Sequence, residues 1–301
     1  MIKQNIEDAK KSLAKHDFPQ DVIIETTAFC NLECVMCPQK SLTRKKGEMS
    51  YVVYRKIVDE VAKESPSTKL WLAIMGEPLL LGNKLVEMVK YAKQHNMKVC
   101  LNTNAMLLDQ EVSYNLVKAE TDEIYIGIDA ITPETYSKIR VGGLYKTVVE
   151  NVDYLLSIPG DTKVIVQFIE MEENEHETEQ FKNFWLEKGC IVKLRPRLGW
   201  GKGVPADNLS IKERDFPCPW LIRTVSIHWN GNIAQCDGDY DGGHCVGNIK
   251  DMTIKEAWGG ELAKRRERHW NLDFDFLPCS ECKDWQAGRS YYYGGKDDRP
   301  E

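Results

Sequence analysis

Three cysteines, Cys30, Cys34 and Cys37, stand within eight positions, with three residues between the first two and two between the last two. An iron-sulfur cubane takes one thiolate per iron, so three clustered cysteines leave one iron of a [4Fe-4S] cluster open to another ligand. Structural zinc sites instead pair their cysteines in C-x2-C knuckles, which a C-x3-C-x2-C loop does not match. A second set lies far downstream: Cys218, Cys236, Cys279 and Cys282, with Gly231 five positions before Cys236 and a C-x2-C at its end. Four thiolates of this kind suit either a cluster or a structural zinc ion, and sulfur count alone does not separate them. Of the remaining three, Cys100 falls inside an apolar run and Cys190 at a helix end, where structural thiols are expected. Cys245 follows Gly242, Gly243 and His244 in the loop after Cys236.

The elements that must position these thiols are legible in outline. The 301 residues are 42% hydrophobic and 29% charged, enough for a sizeable core in roughly two domains or one barrel. Forty basic against 46 acidic residues give a net charge of -6, no footprint for nucleic acid or for an anionic membrane. The first twenty residues lack an apolar secretion core, and no run approaches the ~18 apolar residues of a membrane span, so a cytoplasmic location is expected. Ten cysteines there argue for metal or thiol chemistry over a disulfide framework.

Six apolar runs, DVIIET, LWLAIM, KVCLNT, IYIGID, VIVQFI and IVKLRP, have the length and composition of strands buried on both faces. Between them Val53, Ile57 and Val61, then Leu85, Met88, Val89 and Ala92, then Val148, Val149, Val152 and Leu155 recur at helical spacing. This α/β alternation predicts a parallel sheet with helices outside, open or curled toward a barrel, over residues 21–198. A helix is expected within residues 1–20, with Ile6, Ala9 and Leu13 on one face. Residues 199–214, rich in Gly and Pro, read as a linker. In the module at 215–301, Asn230-Gly231 predicts a hairpin with a type I′ turn. The stretch TIKEAWGGELAKRRERHW predicts a helix with a solvated charged face at Lys264 to Arg268. CDGDYDGG lacks the EF-hand spacing and reads as a turn with solvated acids. Tyr291 to Tyr293 fit either a lid or an ordered tail. Cys30, Glu77, Asn104, Asp129, Glu170 and Arg195 all lie just past predicted strands, the end of a parallel barrel where reacting groups collect.

On these residues the chain resembles the radical S-adenosylmethionine (SAM) superfamily. Its cysteine loop matches at Cys30, Cys34 and Cys37. Met75 to Pro78 (MGEP) resembles the family's GGEP, whose backbone receives the amino group of SAM. Asn102 to Ala105 (NTNA) and Asp129 follow the third and fourth strands, near where the family binds the ribose and carboxylate. The resemblance implies a partial (β/α)6 barrel, with Met36, Gly76, Glu77, Pro78, Asn104, Asp129, Arg140 and Gln167 as cofactor-binding residues. Two positions depart from the family: Met36 stands where an aromatic residue is common, and Gly127 replaces the serine of SxDG. A side-chain contact to SAM must then come from Arg140, Gln167 or Asn104. The later cysteines resemble the SPASM/Twitch extension. Since residues 283–301 contain no further cysteine, the resemblance implies the shorter Twitch form, a small domain with a β-hairpin and helix whose four cysteines hold one auxiliary [4Fe-4S] cluster. Two [4Fe-4S] clusters and SAM are the implied cofactors.

The implied activity is cleavage of SAM to a 5′-deoxyadenosyl radical and removal of hydrogen from a small polar metabolite of sugar, cyclitol or aminoglycoside type. Two-electron oxidation would follow, with the auxiliary cluster as acceptor and an external donor of flavodoxin or ferredoxin type. Epimerisation with Cys245 as hydrogen-atom donor is one alternative. A peptide-modifying maturase is another, less favoured because only about twenty residues precede the first predicted strand. A non-catalytic iron-sulfur or zinc protein is the last. Candidate bases are Glu170, Arg195, Arg197, Asp239 and His244.

Overall fold

A computed structural model describes residues 13–201, 203–204, 214–286 and 290–294. Each of the six apolar runs forms a strand: β1 (Asp21–Ile24), β2 (Lys69–Leu72), β3 (Lys98–Thr103), β4 (Glu123–Gly127), β5 (Lys163–Glu170) and β6 (Ile191–Pro196). They pair in sequential order and in parallel. Helices α1 (Tyr51–Glu64), α2 (Asn83–Gln94), α3 (Gln110–Lys118), α4 (Pro133–Ile139), α5 (Tyr145–Ser157) and α6 (Thr178–Glu187) return the chain between them. Side chains alternate across each strand. Val22, Ile24, Leu70, Leu72, Ile124 and Ile126 face the helices in one core with Ile57, Val61, Met88 and Val152. The other face looks into the lumen of the arc, where Asp21, Ile23, Trp71, Asn102, Gln167 and Arg195 border a cavity. Part of that lumen is filled by Cys100, Tyr125 and Ile165, which is why the strands read as apolar on both sides.

The C-terminal module extends this same sheet. It contains α7 (Pro219–Arg223), β7 (Thr224–Ile227), β8 (Asn232–Ala234), β9 (Gly247–Asn248), α8 (Ile254–Gly259), α9 (Glu261–Trp270) and β10 (Tyr291–Tyr293). β7 lies parallel to β1, Asp21 opposite Thr224, and β8 and β9 follow outward. At the opposite edge β10 pairs antiparallel with β6, so Tyr291 to Tyr293 form a strand. Both edges of the arc are thereby paired, and the open edges of the sheet pass to the short strands β9 and β10, which offer few free backbone donors and acceptors for aggregation.

Several local expectations change. Residues 13–20 contain no helix, and the rest of the expected N-terminal helix lies outside the described residues. So does most of the linker. The hairpin turn is not type I′: of its two central residues only Gly231 has positive φ, +94°. The Gly231 N–H donates to the His228 carbonyl (2.8 Å) and the His228 N–H to that of Asn232 (2.9 Å), so the loop is three residues long, Trp229 to Gly231, with the glycine at its left-handed third position. The helix after Thr253 breaks at Gly259 and Gly260 into α8 and α9. Nor is its charged stretch wholly solvated: Arg266 lies 3.5 Å over the Trp258 ring and donates to the Trp258 carbonyl. Among the described residues no helix is long and apolar enough to cross a membrane.

A buried ion pair fixes the module against the arc. Glu25, fully buried just past β1, accepts from Arg44 Nη2 (2.5 Å) and from the backbone of Trp229 (3.0 Å). Arg44 also donates from Nε to the Tyr240 carbonyl (2.7 Å), and Asp241 accepts from the backbone of Thr43 and Arg44. Burial pushes the Glu25 carboxyl up, and Arg44 opposes it. Removing one partner of such a pair strands a charge, at about 3–5 kcal/mol. Arg44→Ala should lower the unfolding free energy by that amount in anaerobic urea titrations, and a loss below about 1 kcal/mol, as for an exposed pair, would show that the contact is not a strut.

Candidate functional site

Cys30, Cys34 and Cys37 lie in the loop after β1, and its backbone is clamped to the last residue of α4 and the segment that follows it. Glu33 N donates to the Val141 carbonyl (2.9 Å) and Val35 N to that of Ile139 (3.0 Å). The β2 loop presses on it from the other side. A Cβ on Gly76 would sit 2.0 Å from the Thr27 carbonyl oxygen and 2.7 Å from that of Phe29, so only glycine permits this approach. Burial pushes the Cys30 thiol up and that of Cys37 to about 12, and neighbouring thiols add to both. Three successive strand-end loops carry a non-glycine residue at positive φ: Ile74 (100°), Ala105 (58°) and Asp129 (62°). Such conformations cost of order 1–3 kcal/mol each and collect at functional sites.

Glu77 and Asp129 are committed to protein partners. The Glu77 carboxylate, 2% exposed, accepts from Leu79 N (3.1 Å), Thr103 Oγ1 (2.7 Å) and Asn104 N (2.7 Å). It thereby holds the Asn104 loop. Asn104 Nδ2 donates to Asn31 Oδ1 (2.9 Å) and lies 3.9 Å from Cys30 Sγ. The fully buried Asp129 accepts from Ile169 N (2.6 Å) and from Arg140 Nε (2.7 Å), with a second contact to Arg140 Nη2. Arg140 Nη1 in turn stands 3.5 Å from Cys34 Sγ. Burial works against the Arg140 charge, yet Asp129 and Cys34 keep its pKa above the ordinary value. The glycine at 127 now has a physical reason: a Cβ there would lie 2.2 Å from Arg140 Nη2 and 2.9 Å from Cζ. Met36 packs with Ile139, Ile169 and Met171 beside Cys34, and Pro78 opens a buried 3-10 turn. Gln167 Nε2 donates to Asn102 Oδ1 (3.3 Å) across the lumen.

A cavity of about 210 Å³ runs along the lumen, bordered by Trp71, Asn102, Gln167 and Arg195 from the strands and by Trp220 and Asp237 from the C-terminal module. Asp237 was hidden among acids expected to be solvated; its signal was its place directly after Cys236. Burial pushes its carboxyl up to about 6, with Asp284 adding and Arg195 opposing. Of the candidate bases, Arg195 lines the cavity, and burial pushes its guanidinium pKa down. Glu170, Arg197, Asp239 and His244 do not line it. Arg197 Nη2 donates to the Val35 carbonyl (3.3 Å), and the Asp239 carboxylate, in a residue 5% exposed, accepts from His244 N (3.0 Å). Cys245 also lies off the cavity wall, its Sγ 4.0 Å from His228 Nδ1 and 3.9 Å from Asp239 Oδ2.

Cys218, just before α7, Cys236, just after β8, and the Cys279 and Cys282 pair gather beside Asp237. Burial raises all four thiols, and Cys236 feels the other three. Cys279 Sγ accepts from Gln235 Nε2 (3.0 Å) and Cys282 Sγ from Asp284 N (3.3 Å). The Asp284 carboxylate accepts from Gly199 N (2.6 Å) and Gly201 N (3.0 Å), tying this ligand loop to the segment after β6. All ten cysteines are free of disulfides. Among the described residues no three His, Cys, Asp or Glu side chains converge closely enough to share one ion. A cubane asks less, since each thiolate takes its own iron, and both thiol sets have the donor chemistry for one.

Comparison with known proteins agrees with this layout. The family model of the Radical SAM superfamily matches residues 24–184, and that of the SPASM iron-sulfur cluster-binding domain matches residues 218–284. The probable GTP 3′,8-cyclase of Methanococcus maripaludis is 25% identical over 176 residues, 57% of this chain and 56% of that protein. The chain spans about half the length of the curated relatives it matches. Among solved structures, BtrN in complex with AdoMet and 2-DOIA superposes with a TM-score of 0.64 at 16% identity, over 96% of this chain and all of that one. Streptococcus suis SuiB bound to precursor peptide SuiA gives 0.69 at 12% identity, over 95% of this chain and 76% of that one. Identities this low establish the fold alone, a partial radical SAM barrel with a SPASM/Twitch extension. Because the superfamily model runs through β2 to β5 and over more than half of the chain, this protein belongs to the radical SAM superfamily and carries its SPASM domain.

Proposed function

We propose that the protein is a radical SAM oxidoreductase that removes two electrons from a small polar metabolite of sugar, cyclitol or aminoglycoside type. The carrying observation is the cavity, whose wall runs from Ala73 and Ile74, in the loop after β2, to Asp237, the residue after Cys236. Cys30, Cys34 and Cys37 would hold one [4Fe-4S] cluster and Cys218, Cys236, Cys279 and Cys282 a second. When bound, SAM and the first cluster would supply removal of a hydrogen atom from substrate carbon and the second cluster an acceptor for the remaining electron, while the accompanying proton leaves to a base. An external donor of flavodoxin or ferredoxin type would reduce the first.

The chain's own part is to bind and orient. Arg140, held by Asp129, offers a guanidinium at the cluster loop for the SAM carboxylate. Asn104, held by Glu77, offers its amide from the opposite side. Met36 gives an apolar wall. Arg195 and Asp237, close enough to feel each other's charge, would fix the polar groups of the substrate from the cavity wall. A volume of about 210 Å³ lies below the ~300–1,000 Å³ of pockets for drug-sized ligands, which supports a small substrate. The likeness to SuiB keeps a peptide substrate as the second reading.

Three outcomes follow. Anaerobically reconstituted protein with reductant should convert SAM to 5′-deoxyadenosine, and the triple variant Cys30→Ala, Cys34→Ala, Cys37→Ala should not, while its iron falls from about eight to about four per chain. Equal turnover by that variant would overturn the assignment. Gly127→Ser forces its Cβ onto the Arg140 guanidinium, an overpacking of about 1–3 kcal/mol, and should weaken SAM binding roughly 5- to 150-fold in equilibrium dialysis. Cys245→Ala should form the oxidised product at the native rate, as expected of a thiol off the cavity wall. Loss of an epimeric product in that variant, with SAM still consumed, would favour epimerisation instead.

A further inference from the structure

We propose that Gln235 and Arg265 form a hydrogen-bonded relay that raises the reduction potential of the cluster held by Cys218, Cys236, Cys279 and Cys282. The inference rests on the reading above, in which those four thiolates hold a cluster. Arg265 sits on α9, in the charged stretch expected to face solvent, but its side chain is only 16% exposed. Its Nη1 donates to Gln235 Oε1 (2.7 Å) and to the His244 carbonyl (3.0 Å). Gln235, 1% exposed and next to Cys236, donates from Nε2 to Cys279 Sγ (3.0 Å).

The chemistry of the donors fixes the orientation of that amide. A guanidinium can only donate, so it requires the Gln235 oxygen on its own side and leaves the NH2 group facing sulfur. An N–H pointed at a ligating sulfur stabilises negative charge there. The effect is larger in the reduced cluster, which carries one more electron, so the potential rises. In a buried, low-dielectric setting the guanidinium polarises the amide and strengthens its bond to sulfur. Two carboxylates oppose Arg265: Glu261, 3.7 Å away, is 48% exposed and screened by water, and the buried Asp239, whose carboxyl Arg265 helps to hold down, already accepts from His244 N. A raised potential is what an electron acceptor for an oxidation needs, so the relay gives the proposed activity its direction. Gln235 and Arg265 act through Cys279 and need not touch the substrate.

The test is a redox titration of the reconstituted full chain, following the electron paramagnetic resonance signals of the two clusters and counting iron per chain. With about eight irons retained, Gln235→Leu and Arg265→Met should each lower the midpoint of the auxiliary signal by the equivalent of a tenfold one-electron equilibrium, about 59 mV. The signal that disappears in the triple variant at Cys30, Cys34 and Cys37 should keep its midpoint. Arg265→Lys, which retains the charge, should recover part of the shift. If Gln235→Leu loses the auxiliary cluster, Arg265→Met decides, because it leaves Gln235 in place. An unmoved auxiliary midpoint in Arg265→Met with both clusters present would overturn the relay alone. Native protein with only about four irons and one signal would overturn the two-cluster reading and the relay with it.

Discussion

The pairing of β1 with β7 is the constraint from which the rest of the architecture follows. A parallel arc of six strands leaves an unpaired row of backbone groups at each edge, and β1 is one of those edges. Seating β7 there in register brings Cys218, at the head of α7, and Cys236, at the foot of β8, onto the sheet whose first strand leads into Cys30. The first thiol set and two members of the second are thus positioned by one hydrogen-bonded surface, while Cys279 and Cys282 are held to it through Gln235 and Asp284. The Glu25 and Arg44 pair then fixes the angle between barrel and hairpin, and Asp284 does the same at the β6 side by capping the chain that leaves the barrel.

The barrel itself was legible because its strands are apolar where they meet helices and partly apolar toward the lumen, and because strand and helix alternate within short stretches of chain. The cysteine loop was legible for a similar reason, since its three thiols are neighbours in sequence. What escaped was non-local. Nothing in TVSI says that its partner is DVII, and nothing in YYY names IVKLRP. Asp237 and Arg265 were assigned to solvent because acidic and basic runs usually lie there, and only the fold turns one toward the cavity and the other toward Gln235. The hairpin turn was misread for a local reason: Asn-Gly suits a two-residue turn, but the strands here begin further apart and need positive φ only at Gly231.

The departure of Gly127 from the family pattern is compensated within the same few ångströms. The space a serine would occupy holds the Arg140 guanidinium, whose other face is tied to Asp129 and whose tip reaches Cys34. One long donor takes up the room a short side chain would occupy, and it ties the fourth strand to the thiol loop while doing so. Glu77 plays the matching part on the other flank through Asn104. Both carboxylates thus serve the site from behind, by aiming the groups that face the open side.

The distance along the chain between β1 and β7 also has a consequence in time. Asp21 meets Thr224, about two hundred residues later. At ribosomal rates of roughly 5–20 residues per second, the first strand emerges on the order of 10–40 s before its outer neighbour exists. For that interval one edge of the nascent barrel is bare, and the sulfur ligands that follow β7 have not yet been made. Anything that keeps the early strands from associating with other chains, or withholds iron until the later ligands arrive, therefore acts on a half-built protein whose edges are still exposed.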